Sequence, residues 1–170
     1  MSTESKWLDA REDRAWRTFV HAHHQLHVRL QRRLLQDSAL SEADYEILAV
    51  LSEHPEERLP ARELCDLLLW EKSRLSHQVR GMQQRGLVAR EANPADARST
   101  LVRLLPAGRR AIEEAAPQHV DNVRRYFIDL LAPDELDTLA AIHERILRRL
   151  VDEVAQDDGT GESDDGTSES

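Results

Sequence analysis

The chain has 170 residues, a length suited to one domain of ordinary size and short for two. Apolar residues make up 40 % and charged residues 32 %, whereas aromatics reach only 4 % and Gly and Pro number six each; this favours a solvated helical fold over a sheet rich in aromatic and β-branched side chains. No run approaches the roughly 18 apolar residues of a membrane span, the N-terminal MSTESKWLDARED has no signal-peptide core, and the single cysteine, Cys65, cannot form an internal disulfide; a cytoplasmic protein is expected.

The formal net charge is −9, which taken alone argues against a nucleic-acid partner. Its distribution argues the other way. Residues 156–170 hold six acids and no base, whereas residues 58–110 hold eleven bases against five acids. Screening limits electrostatic reach to about 10 Å, so a basic middle between acidic ends is a local footprint that the whole-chain balance conceals.

Residues 6–35 or so read as one long helix, with Trp7, Trp16, Phe19, Val20, Leu26, Leu30 and Leu34 three and four apart. Thirty residues span about 45 Å, more than a small domain needs, so part of this stripe is expected to meet another subunit. A second helix starts after Ser41, with Asp44 three residues on as its capping partner and Tyr45, Leu48 and Leu51 on its face. Pro60 opens a short third helix to Leu69, with Leu64, Cys65, Leu67 and Leu68 inward. The fourth follows Trp70-Glu71, runs to Arg85 and stops at Gly86. Leu87–Arg90 and Leu101–Leu104 are β-prone and joined through the turn signal Asn93-Pro94, a β-hairpin. Pro106 opens a fifth helix to about Leu131, with Pro117 inside it as a kink site. A sixth follows Pro133, with Leu136, Leu139, Ile142, Ile146, Leu150 and Val154 on one face. Beyond Ala155 the Gly, Ser, Thr, Asp and Glu composition favours disorder.

Helix, short helix, helix and hairpin is the order of a winged helix-turn-helix, and the basic block coincides with it. The fold class expected is mainly α with a small β-hairpin wing, dimerising through its N- and C-terminal helices. Residues 1–36 form the N-terminal dimerisation helix, 41–105 the DNA-binding lobe, 106–155 the C-terminal dimerisation helices and 156–170 an acidic tail. In the fourth helix Leu75, Val79 and Met82 give a buried face, leaving Lys72, Ser73, Arg74, Ser76, His77, Arg80 and Gln84 wholly or partly on the remaining surface. Arg74 suits a bidentate contact with guanine, and Ser73, Ser76 and His77 suit shorter polar contacts. Arg98 in the wing loop, supported by Asp96, fits a minor groove; Arg62 at the start of the third helix fits a phosphate beside free amides.

Asp96-Ala97-Arg98 followed by Val102-Arg103-Leu104 resembles the D-x-R-x-x-x-V-x-L signature of MarR-type (multiple antibiotic resistance) transcriptional regulators. Lys72-Ser73-Arg74-Leu75-Ser76 and Arg85-Gly86-Leu87-Val88 are similar to that family's recognition helix and its exit into the wing. The resemblance covers about residues 26–150. One departure is Leu105-Pro106 where the family usually has a Thr cap; Pro at the first helical position partly compensates. The resemblance implies a homodimer on a pseudopalindromic operator of double-stranded DNA, usually a repressor released by a small ligand. It also implies an effector pocket between the dimer helices and the DNA-binding lobe, where Trp16, His23, His27, Tyr45, Trp70 and His119 are the aromatic or titratable candidates.

Two sensor readings compete with plainer ones. Cys65 lies among leucines of the third helix, not in the first helix where the peroxide-responsive branch of the resembled family carries its reactive cysteine, so an inert thiol is expected. His23 and His27 are spaced to share a metal, but no further ligand stands at a diagnostic spacing; neither metal nor cofactor is expected. The chain carries no Gly-rich phosphate loop, nucleophile elbow or H-E-x-x-H pattern, so an enzyme is not expected. The rival reading is a winged-helix protein–protein interaction module without an operator.

Overall fold

A computed structural model of the chain describes residues 7–94, 96 and 99–159, with side chains to residue 153. Arg98, the loop arginine of the sequence argument, therefore lies outside the described residues, as do residues 160–170 of the acidic tail.

Helix starts are set by side chains that satisfy otherwise unpaired amides. The first helix, α1 (Ala10–Ser38), begins where Asp9 accepts from the N–H groups of Arg11 and Glu12 while the Glu12 carboxylate accepts from the Asp9 N–H. This capping box places the start four residues later than the apolar spacing suggests and leaves Trp7 outside the helix. The second helix, α2 (Glu42–Glu53), uses the same reciprocal device between Ser41 and Asp44, as the sequence predicts. There follow α3 (Ala61–Leu68), α4 (Lys72–Gln84), β2 (Val88–Ala92), β3 (Thr100–Leu104) and α5 (Pro106–Tyr126).

A strand that the sequence reading lacks, β1 (Arg58–Pro60), precedes α3 and makes the sheet three-stranded and antiparallel, in the order β1-β3-β2. Three residues cannot display a two-residue period, and the strand is defined by its pairing, with Leu59 opposite Val102. β2 and β3 form the expected hairpin, with Arg90 opposite Val102 and Val88 opposite Leu104. α5 runs through Pro117 and ends at Tyr126, short of the expected Leu131. Its last turn holds Arg124 and Arg125, suited to the negative end of a helix dipole, a stop signal the apolar pattern conceals. One 3-10 turn, Ile128–Leu130, leads to α6 (Pro133–Gly159). That helix continues four residues into the stretch where composition favours disorder.

The chain divides into two units, Met1–Tyr126 and Phe127–Ser170. The first contains one core in which Ile47, Leu48, Leu51, Leu64, Val79, Met82, Val88 and Val102 are essentially inaccessible. α1 and α5 lie side by side and α2 packs on α5. Leu67, expected inward, is exposed. Leu64, Leu68, Ala61 and Cys65 define the inner arc of α3, and at 100° per residue Leu67 falls about 110° from its centre. On α1 Leu34 is buried whereas Trp16, Phe19 and Val20 are exposed. In the second unit Ile142, Ile146, Leu147, Leu150 and Val151 of α6 are likewise exposed. Among the described residues no helix is long and apolar enough to cross a membrane.

Gly108 marks a close approach of α5 to Leu87, to Leu104 of β3 and to Leu48 of α2. A Cβ there would press into the Leu87 carbonyl oxygen and lie 2.9 Å from Leu104 Cδ1 and 3.1 Å from Leu48 Cδ2. Gly108→Ala is therefore expected to destabilise the fold by about 3 kcal/mol through overpacking, read as a lower urea midpoint at unchanged slope.

Candidate nucleic-acid interface

Leu75, Val79 and Met82 fix the inner face of α4. At about 100° per residue, the opposite arc carries Ser73, His77, Arg80 and Gln84, all exposed. Ser76 occupies one flank; Arg74, Gln78 and Arg85 occupy the other. Of the residues that the sequence marks for base contact, Ser73 and His77 thus stand outward, whereas Arg74 and Ser76 are flanking.

Both flanks are tied down. Asp44 of α2, 2 % exposed, receives Arg85 in bidentate fashion, with Arg85 Nη1 donating to Oδ2 at 3.0 Å and Nη2 to Oδ1. Gln78 Nε2 donates to Oδ1 at 2.7 Å, and the Ser41 N–H to Oδ2 at 2.9 Å. Burial by itself would raise the Asp44 pKa; the hydrogen bonds from Arg85 and Ser41, with the Arg85 charge, more than offset it and hold the carboxyl below its ordinary value. On the other flank Arg90 of β2 donates from Nη2 to the Ser76 carbonyl at 2.9 Å and to Ser76 Oγ at 3.0 Å. The Ser76 hydroxyl is thus already engaged with the wing strand. The Asp44 cluster was missed in the sequence, although an acid in a capping box followed much later by an arginine just before a helix-ending glycine was there to be read.

The basic block sorts into two groups. Arg58 pairs with Glu56 at 2.9 Å, Arg85 with Asp44, Arg90 with Ser76, Arg103 with Glu91 at 2.5 Å, and Arg109 with Glu57 and the Ser52 carbonyl. Among the described residues Arg62, Lys72, Arg74, His77 and Arg80 make no hydrogen bond or ion pair, and all five are exposed. Arg74 instead lies over the Trp70 ring, its guanidinium carbon 4.0 Å from the centroid.

The helix starts follow the same division. α1 and α2 have complete capping boxes, whereas α3 and α4 start at Pro60 and Glu71 with no side-chain cap. Arg62 lies in the first turn of α3, and Lys72 and Arg74 in the first turn of α4. In α3 the charge of Arg62 is balanced by Glu63 in the same turn, whereas in α4 two cations follow the N-cap Glu71 and oppose the helix dipole; at both starts amides without a side-chain cap suit an incoming phosphate.

In the wing, Asn93 Nδ2 donates to Ser99 Oγ at 2.6 Å, and the Ser99 N–H and Oγ donate to the Asp96 carbonyl at 3.0 and 3.2 Å. Asp96 is exposed; the support it is expected to lend Arg98 lies outside the described residues. A hollow of about 420 Å³ between the α3 start and the wing is lined by Arg62, Cys65, Lys72, Asp96, Ser99 and Thr100. Cys65 is half-buried, and burial, with Asp66 and Glu71, pushes its thiol up from its ordinary value.

The effector candidates do not form one cluster. Tyr45 and His119 meet with ring centroids 4.4 Å apart, and His27 Nδ1 lies 3.1 Å from Glu42 Oε1. Burial lowers the His119 pKa, opposed by Glu42. His23 stacks between Phe19 and His27 along α1, and Trp16 is exposed beside Phe19. Trp70 is buried and committed to Arg74. Among the described residues no three His, Cys, Asp or Glu side chains gather as a metal site.

Uncapped basic helix starts, an outward polar arc and a paired wing define a winged-helix DNA-binding protein. A family model described as MarR family matches residues 40–99. The chain is similar over its length to AbsC, a MarR family transcriptional regulator from Streptomyces coelicolor, at 38% identity and TM-score 0.83, covering 86% of this chain and 98% of that one. Sco3205, a MarR family regulator from the same organism solved in complex with DNA, is 34% identical, with TM-score 0.84 and coverage of 88% and 93%. A probable transcriptional regulator from Pseudomonas aeruginosa is 26% identical, with TM-score 0.63 and coverage of 72% and 92%. A comparison with curated proteins gives no match. The chain belongs to the MarR family and is a DNA-binding transcriptional regulator.

Asp44→Asn is expected to destabilise the protein by about 2 kcal/mol. That is below the 3–5 kcal/mol typical of a broken buried pair because Arg85 is partly exposed and regains water. The folded carboxyl has a depressed pKa, so its contribution is full above the unfolded value near 3.9 and lost as pH falls through the folded value. Denaturation across pH should show a constant gap between wild type and variant from pH 7 to about 5, closing below about pH 4.

Proposed function

We propose that the protein is a homodimeric repressor that reads a pseudopalindromic operator, one α4 per half-site, and is released by a small ligand. The observation that carries this reading is the group of five exposed cationic or titratable side chains, Arg62, Lys72, Arg74, His77 and Arg80, that make no hydrogen bond or ion pair among the described residues and lie on α3 and α4, whose starts are uncapped. Arg62 and Lys72 take phosphates with the amides beside them; Ser73, His77 and Arg80 face the base edges; Arg98 enters the minor groove, steadied by Asp96.

A single recognition helix reads few base pairs, and two set about 34 Å apart read a site with useful selectivity. The exposed apolar residues of α1 and α6 supply the surface for pairing, since apolar patches of this kind on a soluble protein mark interfaces. The ligand belongs at the Tyr45–His119 ring contact between α2 and α5, with the His23 and His27 face of α1 as a further candidate; an aromatic or anionic molecule suits these groups.

The deciding experiment is a gel-shift titration of the DNA upstream of the protein's own gene against unrelated competitor at two salt concentrations. A discrete, competitor-resistant shift with a two-lobed footprint is expected; equal loss on both DNAs would overturn the reading.

Two results should follow. Arg62→Ala and Lys72→Ala each weaken binding to all sequences and reduce the slope of log K against log salt by about one, whereas Arg80→Ala narrows the gap between footprint and random duplex. In sedimentation velocity wild type should run as a dimer, whereas Ile146→Glu should shift it towards monomer and lower operator affinity far more than affinity for random duplex.

A further inference from the structure

Trp70 occupies the turn between α3 and α4. Leu69 before it adopts left-handed backbone with φ of 54°, uncommon for a non-glycine residue, and the Trp70 N–H closes the turn on the Cys65 carbonyl at 2.9 Å. The turn leaves Leu69 out in solvent and sends the indole into the core, 8 % exposed. Its ring plane is therefore fixed by packing.

One helical turn on, Arg74 lies over that plane at 4.0 Å, well inside cation–π range. The charge of Glu46 on α2 acts on the same guanidinium. The contact is to the ring face, where the indole offers no lone pair, so it commits none of the five guanidinium N–H donors to a conventional acceptor. Arg74 is exposed, and among the described residues none of those donors has an acceptor.

We propose that Trp70 is a positioning residue for DNA recognition: it holds Arg74 at the N-terminal end of α4 with its donors outward, so the arginine meets DNA already ordered. The stack explains why an arginine on the flank of the recognition helix, with neither hydrogen bond nor ion pair, is nevertheless held in place. It rests on the reading of α4 as the helix that enters the groove.

The test is a double-mutant cycle on the full chain, with Trp70→Leu, Arg74→Ala and the pair, titrated by fluorescence anisotropy against the footprinted duplex and a random one. Circular dichroism checks folding. Trp70→Leu is expected to weaken footprint binding about fivefold while leaving random-duplex binding within twofold, because the charge remains. In the Arg74→Ala background the same change should have no further effect, and Trp70→Phe, which restores a ring, should recover most of the loss. Equal losses in both backgrounds, or no loss in wild type, would overturn the proposal by leaving Trp70 a core residue alone. Should Trp70→Leu fail to fold, Trp70→Phe carries the cycle, with a smaller loss that vanishes without Arg74. Absence of any footprint in wild type is a separate result, counting against the DNA reading itself.

Discussion

The buried carboxylate of Asp44 is the constraint on which the placement of the recognition helix depends. A charge this inaccessible is tolerable only when its lone pairs are filled, and the groups that fill them come from two elements: the α2 N-cap and the last two turns of α4. Apolar contact between Leu75, Val79 and Met82 and the core would permit α4 to rotate or slide by a fraction of a turn. A bidentate arginine and an amide meeting one carboxylate do not, because their geometry is directional. On the opposite flank Arg90 ties the same helix to the wing. The helix and the hairpin are thereby tied to each other on this flank.

Charge is divided between internal and external work. Arginines that brace the lobe, Arg85, Arg90, Arg103 and Arg109, are engaged with side chains or carbonyls of the protein. Those on the outer face of α3 and α4 are not. A chain carrying −9 overall can thus present a locally cationic surface, because screening confines what DNA senses to roughly the nearest 10 Å. Acidic residues on distant elements then matter mainly for solubility and for discouraging contacts away from the site.

Much of this was legible in the sequence. The element order, the capping box at Ser41–Asp44, the inner face of α4 and the hairpin follow from spacing and turn residues that act locally. β1 did not, because a three-residue strand exists only through its partner β3. The start of α1 was misplaced because apolar spacing continues through Trp7 while the Asp9–Glu12 cap decides the start. The division among arginines was hidden for another reason: Arg80 and Arg85 look alike in composition, and only the fold determines that one meets an acceptor from another element and the other does not. Arg85 is the clearest case, since its partner Asp44 precedes it by 41 residues.

The contrast between helix starts bears on how the free protein is balanced. Where α1 and α2 begin, reciprocal side-chain caps satisfy the amides. At α3 and α4 the caps are missing; in α3 the charge of Arg62 is balanced by Glu63, whereas in α4 Lys72 and Arg74 outnumber the N-cap Glu71 at the positive end of the dipole, each cation worth a few tenths of a kcal/mol in the wrong direction. The local rules of helix capping kept at α1 and α2 are thus set aside most clearly at the α4 start, the pattern expected where function sets the sequence. A phosphate supplies the missing acceptor and the missing countercharge at once. The gain on binding then includes relief of an unfavourable arrangement in the free protein as well as the new contacts. On the proposed reading this favours sites where backbone phosphates line up with both helix starts, so even the sequence-independent part of the interaction carries a geometric requirement.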